Sequence, residues 1–427
     1  MANDMEYEVL ENLVGKLSLA QTKNEREAVT LRTVNELYSS LPQQEKIKLT
    51  KNVLSYDFLD EHVNDPYTED IIINGLESIY IISTATGTIK LDKKFKSNEE
   101  LLHFVNKLLV LSCKRNLDYV NNFHLYEGGR INIINSPLGY YITIRKFRQK
   151  PFSLLDLIER NSLNFDIGAL LWLYVDGLGV KPANLIIAGM PGSGKTTLLN
   201  ALFSFVPPDE RVVVIEDTLE LNTSTNTNCA RLESDSSISM RDLVKNSLRM
   251  RPTRIVVGEV RGEEAIDLMT AMNIGKICMG TIHAGSPRET MMRLGNEPMS
   301  VPTDSLTLID AVIVIKHFFV ESKPVRVLSN ISETGGIEER KILLSDLYAY
   351  NPKAGKIEEL KPSIIYRDRL AEATGFTPKE IMDEIKLRST ILKKLLEKNI
   401  KTMDELAKFS ASYYSHPDEA MQSIGLK

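Results

Sequence analysis

Residues Gly189 to Thr196 read GMPGSGKT, and this octapeptide limits the possible folds more than anything else in the 427-residue chain. The pattern GxxxxGK[ST] is met by Gly189, Gly194, Lys195 and Thr196. Such a loop works only between a strand and a helix. Its backbone N–H groups curl around an anion, and the positive end of the following helix faces that anion. The flanks agree, with the apolar run LIIAG before the loop and TTLLNALFSF after it. The expected phosphate cradle is Gly189, Pro191, Gly192, Ser193, Gly194, Lys195, Thr196 and Thr197. Lys195 is expected to reach the β- and γ-phosphates of a nucleotide, and the Thr196 hydroxyl to ligate Mg2+.

From about residue 168 to 350, solid apolar runs alternate with helical stretches, the pattern of a parallel sheet covered on both faces. In such sheets ligands gather beyond the carboxyl ends of the strands. Several runs finish there in polar residues: Glu216 and Asp217 after RVVVI, Glu259 after IVVG, Thr281 and His283 after ICMG. If these strands run parallel to the one feeding the loop, the groups converge on the nucleotide. One acid then holds Mg2+ or its waters and another orients the attacking water, which makes Thr196, Glu216 and Glu259 the candidate metal ligands. The alternative is that each acid caps the helix that follows it and that His283 is a structural histidine.

A chain this long exceeds one hydrophobic core, so two or three domains are expected. Residues 1–60 read as a charged helical segment, with Val9, Leu10, Leu13, Val14 and Leu17 at helical spacing. Residues 61–150 show short β-branched and aromatic runs around one helix, roughly Asn98 to Ser112, and so an α+β domain. Residues 151–167 read as a linker, 168–350 as the domain of the phosphate loop, and 351–427 as a helical extension with capping boxes at Thr377–Glu380 and Thr402–Glu405. The formal net charge of −5 argues against a protein that coats nucleic acid. Cys113, Cys229 and Cys278 are far apart and unpaired in pattern, as expected of reduced thiols. The acidic start MANDMEYEVLENL is unlike a secretory signal, and no run reaches about 18 uncharged apolar residues.

IVVGEVRG, with NSLRMRPTR before it, IEDTLEL upstream and GTIHAGSPRETMMRL downstream, makes the chain resemble the secretion-superfamily ATPases over about residues 65 to 350. These are the motors of type II and type IV secretion, type IV pili, Tad pili and archaeal flagella. The resemblance implies an α/β fold: a RecA-like P-loop ATPase domain with a parallel-rich sheet, an α+β N-terminal domain before it and a helical extension after it. It implies Mg2+-dependent hydrolysis of ATP, with Glu259 positioning water or metal, Glu216 assisting, Lys195 in the loop and His283 sensing the γ-phosphate. It also implies that Arg130 in EGGRINI and Arg145 in ITIRKF reach the nucleotide from the N-terminal domain. Guanidinium forks suit phosphate oxygens, although a surface salt bridge is the alternative for each. Arg249, Arg251, Arg261 and Arg293 are candidates for facing a neighbouring subunit.

By the same resemblance the partners are five further copies in a homo-hexamer and a polytopic inner-membrane platform protein of a pilus or secretion machine. Nucleic acid is not bound directly, and the cytoplasmic membrane is met only through that partner. Two departures stand out. NIGK places Lys276 where relatives often have histidine, and the four-cysteine insertion of some type II motors is missing, so no zinc is expected. The stretch LRSTILKKLLEKNIKTMDELAKFSASYYSHP looks most like the tail of archaeal pilus and flagellar motors. Two other readings remain. A RecA-like nucleic-acid translocase would want stacking aromatics, which make up only 7% of this chain with one tryptophan. A nucleotide-dependent switch is the second, and without Asn-Lys-x-Asp after the loop it would not read guanine.

Overall fold

A computed structural model describes residues 2–20, 22–83, 85–125, 128–147, 150–235, 237–320, 323–339 and 341–426. The chain divides into two compact units, Met1–Lys150 and Pro151–Lys427.

In the first unit, helices α1 (Ala2–Leu13), α2 (Lys23–Leu37), α3 (Gln43–Leu54) and α4 (Asp60–Asn64) precede strands β1 (Thr68–Asn74), β2 (Ser78–Ser83) and β3 (Gly87–Lys90). Helix α5 (Asn98–Leu111) and strands β4 (Val120–Leu125), β5 (Gly129–Ser136) and β6 (Gly139–Lys146) follow. The six strands form an antiparallel sheet in the order β3-β2-β1-β6-β5-β4. Alternation in the sequence places Ile71, Ile73, Ile131, Ile133, Ile142 and Ile144 on one buried face. They share one apolar cluster with α5 and with Val9, Leu10, Leu13 and Leu17 of the N-terminal helices. The first 60 residues are therefore part of this unit and not a separate segment. Buried Lys107 of α5 fastens them, since its ammonium meets Glu6 at 2.6 Å, Asp57 at 2.7 Å and the Asn52 carbonyl at 2.7 Å. Those partners compensate a charge that would otherwise be costly to bury. Glu127 of the motif EGGRINI lies outside the described residues.

The second unit opens with α6 (Leu154–Glu159) and α7 (Phe165–Asp176), where the sequence suggested a linker. Ser153 and Asp156 form a capping box, and Leu154, Leu155, Leu157 and Ile158 are buried. Apolar residues at this spacing give a helix one inward stripe, which outweighs the Pro and charges around it. Then come β7 (Leu185–Gly189), α8 (Lys195–Leu202), β8 (Val212–Glu216), β9 (Cys229–Glu233), α9 (Met240–Ser247), β10 (Arg254–Val257), α10 (Glu264–Asn273), β11 (Ile277–Ile282) and α11 (Pro287–Gly295). The chain continues through β12 (Ala311–Val320), β13 (Lys323–Glu338), β14 (Lys341–Asn351) and β15 (Lys356–Glu359) to α12 (Ile365–Thr374), α13 (Pro378–Glu397), α14 (Met403–Ser415) and α15 (Pro417–Ser423).

The nine strands run in the order β15-β14-β13-β12-β7-β11-β10-β8-β9. Strands β12, β7, β11, β10, β8 and β9 are parallel, while β13, β14 and β15 return as antiparallel hairpins. The alternating strand–helix pattern thus ends at β12, not near residue 350. One face packs on α7, α8 and the C-terminal helices, the other on α9, α10 and α11, so the central strands are buried on both sides.

The last 77 positions are also no mere helical extension, because β15 completes the sheet. Helices α13 and α14 share the apolar cluster of α7 and α8. Arg388 of α13 grips Asp176 of α7 with two bonds of 2.6 and 2.9 Å, and its guanidinium lies 4.8 Å over the Trp172 ring.

Candidate active site

The loop after β7 has the backbone that an anion cradle needs. Gly192 (φ +71°) and Gly194 (φ +102°) occupy the left-handed region. A Cβ on Gly189 would come within 2.5 Å of the Ile315 carbonyl and 2.4 Å of Ser193 Oγ, so the loop closes against β12 only with glycine there. Ser193 Oγ is buried without a hydrogen-bond partner, and Lys195, Thr196 and Thr197 start α8. Pro191 and Gly192 form the exposed crown.

Strands β8, β10 and β11 run parallel to β7, so their carboxyl ends meet at this loop. Three of the sequence-derived groups join there in one chain. Lys195 Nζ lies 3.1 Å from His283 Nδ1, and His283 Nε2 lies 3.0 Å from Glu259 Oε1. His283 Nδ1 also sits 3.3 Å from the Gly189 carbonyl. Burial lowers the pKa of Lys195, against the opposing pull of Glu259 and Glu220.

Glu216 comes to the same edge, but its carboxylate turns away from that chain. Its Oε1 accepts from the backbone N–H groups of Glu220 and Leu221, both at 3.1 Å, and Arg231 stands 3.8 Å from Oε2. Burial raises its pKa to about 7, in spite of those hydrogen bonds and Arg231. Glu216 still abuts the Glu259 segment, because a Cβ on Gly258 would lie 2.8 Å from Glu216 Cγ. Asp217 instead pairs with Arg261 at 2.6 Å, and Arg293 donates to the backbone carbonyl of His283. Arg249 and Arg251 are exposed around the turn after α9.

Glu259 is held on both sides. Thr281 Oγ1 donates to the Gly258 carbonyl at 2.6 Å, and the Val260 N–H donates to the Thr281 carbonyl at 2.7 Å. Glu264 Oε1 accepts from the N–H groups of Arg261 and Gly262 at 2.7 Å, closing the turn that follows. Sequence reasoning noted Thr281 only as a strand end and passed over Glu264. It also passed over Arg326 of β13, whose Nε donates to the Gly192 carbonyl at 2.9 Å.

Arg130 and Arg145 belong to the first unit. They face one another across β5 and β6, in a row that continues to Asp70 and His124. Arg145 Nε donates to Asp70 at 2.9 Å. Two cations directly opposite repel, and Asp70 offsets the charge of Arg145, the salt-bridge alternative for that residue.

A glycine-lined anion nest at the carboxyl edge of a parallel-rich sheet, with acid and imidazole from the neighbouring strands, defines a RecA-like P-loop nucleotide-binding domain. The comparisons agree. Residues 128–323 match the family model "Type II/IV secretion system protein". A putative conjugal transfer protein of Mycobacterium tuberculosis is 31% identical over 246 residues, which is 53% of this chain and 68% of that protein. The chain belongs to this family of secretion-superfamily ATPases. Two uncharacterised proteins of Methanocaldococcus jannaschii are also similar. MJ1287 is 35% identical over 56% of this chain and 90% of its own length. MJ0900 is 27% identical over 82% of this chain, which spans 66% of that protein, just under two thirds. Among the described residues, no helix is long and apolar enough to cross a membrane.

Proposed function

We propose that the chain hydrolyses ATP at the 189–197 loop and converts the reaction into movement within a hexameric motor for a pilus-like filament or secretion machine. The observation that carries the catalytic part is the hydrogen-bonded sequence Lys195–His283–Glu259 behind the phosphate nest. Family membership supports the rest.

The ammonium of Lys195 rests on the imidazole of His283. A phosphate entering the nest competes for that ammonium with full negative charge, so Lys195 turns to it. His283 then keeps its bond to Glu259, and its Nδ1 is released from the ammonium. Glu259, whose neighbours Gly258 and Val260 are braced by Thr281, is the residue we assign to orient water for in-line attack. The residues fit Mg2+ in kind: Thr196, in the first turn of α8, and Glu259, after β10, supply the hard oxygen donors that would hold it. When bound, the metal would neutralise charge on the phosphate oxygens. Glu216 supports this arrangement from behind Gly258. Arg130 and Arg145 are proposed to engage the same nucleotide, as the family resemblance implies. A polytopic platform protein at the cytoplasmic membrane is the proposed receiver of the motion.

The test is Glu259→Gln. Nucleotide binding should stay close to wild type while ATP turnover falls at least about a hundredfold, as expected for losing a positioned base. Unchanged turnover would end the assignment of Glu259. Native mass measurement with ATP present examines the hexamer, and a monomer at micromolar concentration would count against it.

A further inference from the structure

Strand β13 contributes a residue to the nucleotide site for which no motif prepares. From Ala311↔Glu333 to Val314↔Asn330 the pairing of β12 and β13 is regular, and then Ile315 pairs with Leu328. Ser329 is the extra residue of a β-bulge, and its hydroxyl donates to the Val314 carbonyl at 3.2 Å. A one-residue shift exchanges the two faces of a strand. Without the bulge Arg326 would pair with Phe318. With it, Arg326 stands opposite His317 and on the face of Leu328, which packs in the same cluster as Leu198 and Leu199 of α8. The bulge therefore aims Arg326 at the phosphate loop. Its Nε reaches the Gly192 carbonyl at 2.9 Å, and its Cδ lies 3.7 Å from where a Cβ on Gly194 would be, a position that also borders Thr197.

The placement has a direction. His283 and Glu259 come from the β11 and β10 side of β7, whereas β12 and β13 lie on the other side. A nucleotide whose γ-phosphate meets Lys195, His283 and Glu259 must run its α-phosphate and ribose toward the opposite flank. Resting on the nucleotide-site reading above, we propose that Arg326 is a binding residue for the α-phosphate end of the nucleotide. One N–H secures the crown of the loop, and the forked outer N–H groups are directed to the non-bridging α oxygens.

The experiment measures MgATP and MgADP affinity for the full chain and for Arg326→Ala, Arg326→Gln and Arg326→Lys. Loss of one charge-assisted contact corresponds to about a tenfold weaker Kd. The Ala and Gln variants should lose this factor equally for ATP and ADP, since both carry the α-phosphate, and Lys should restore part of it. Gln can still donate to the Gly192 carbonyl, so wild-type affinity in Arg326→Gln would reduce Arg326 to a tether of the loop and overturn the proposal. A loss confined to ATP would place the guanidinium at the γ end and overturn it too, as would unchanged affinity in all three variants. Failure of the wild-type chain to bind either nucleotide would remove the underlying reading along with it.

Discussion

His283 stands between Lys195 and Glu259, with Nδ1 3.1 Å from the Lys195 ammonium and Nε2 3.0 Å from the Glu259 carboxylate. An ammonium has only donors, so in this shorter contact Nδ1 accepts and the ring proton resides on Nε2, pointing at Glu259. That leaves the Gly189 carbonyl, 3.3 Å from Nδ1, with no proton from the ring. Nitrogen NMR of the nucleotide-free protein should therefore show His283 as the neutral Nε2–H tautomer. A ring protonated only at Nδ1 would contradict this arrangement.

The same contact implies a cost on binding, because Lys195 leaves a partner before it reaches phosphate. His283→Ala should bind MgADP about two- to fivefold more tightly while turning over ATP at least tenfold more slowly. Calorimetry with a phosphate-release assay checks both halves. Weaker ADP binding in the variant would show that the imidazole does not restrain Lys195.

Glu216 links stability to pH. Its carboxyl rises from an ordinary 4.5 to about 7 through burial, so the folded chain holds a proton there that the unfolded chain releases at lower pH. The folded state therefore loses stability as pH climbs from about 4.5 to about 7 and loses no more from this group above that. The whole effect is on the order of 3 kcal/mol. Glu216→Gln should flatten this part of the stability profile, read from denaturant midpoints at pH 5 and pH 8. An unchanged slope would exclude Glu216 as its source.

Gly258 separates two carboxylates that do different things. A methyl group there lies 2.8 Å from Glu216 Cγ, near the side-chain root where little can yield. Gly258→Ala should displace the Glu259 segment and reduce turnover about tenfold or more, with a smaller effect on ADP binding, since the nest itself is untouched. Equal losses in both measurements would indicate general damage to the domain.

The Asp176–Arg388 pair is buried at both ends, each side chain 2% exposed. Asp176→Ala would leave the buried Arg388 guanidinium with only one of its two carboxylate partners, Glu384, which is 2.7 Å from its Nε, and should cost up to about 3–5 kcal/mol in chemical denaturation. Adding Arg388→Met should recover much of that loss. No recovery in the double variant would show that the cost lies elsewhere.

The sequence made the phosphate loop legible because its chemistry is local: the glycines, Lys195 and Thr196 are consecutive and their geometry follows from backbone torsions. The convergence of Glu259 and His283 was also readable, since solid apolar runs fix parallel strands and a parallel strand presents its carboxyl end on a known edge. The orientation of Glu216 was not, because the loop amides at 220 and 221 capture its carboxylate and no periodicity encodes that. Arg326 was hidden for a related reason. A bulge at Ser329 decides its face, and the strand belongs to an antiparallel hairpin in a stretch that looked like more of the alternating pattern. The apparent linker at 151–167 misled because Pro151 and the charges around Leu154 to Ile158 masked a short buried stripe.

Arg388 arrives 212 positions after the aspartate it neutralises, and β15 is the outermost strand of the large sheet. During synthesis the phosphate loop leaves the ribosome long before the pieces that seal its supporting core. Until α13 emerges, Asp176 lacks its guanidinium partner, and Trp172 has Phe205 stacked on its ring but not Arg388. The core beneath the loop is thus sealed by a helix made long after it, and a ribosome that stops before α13 releases a P-loop without that part of its scaffold.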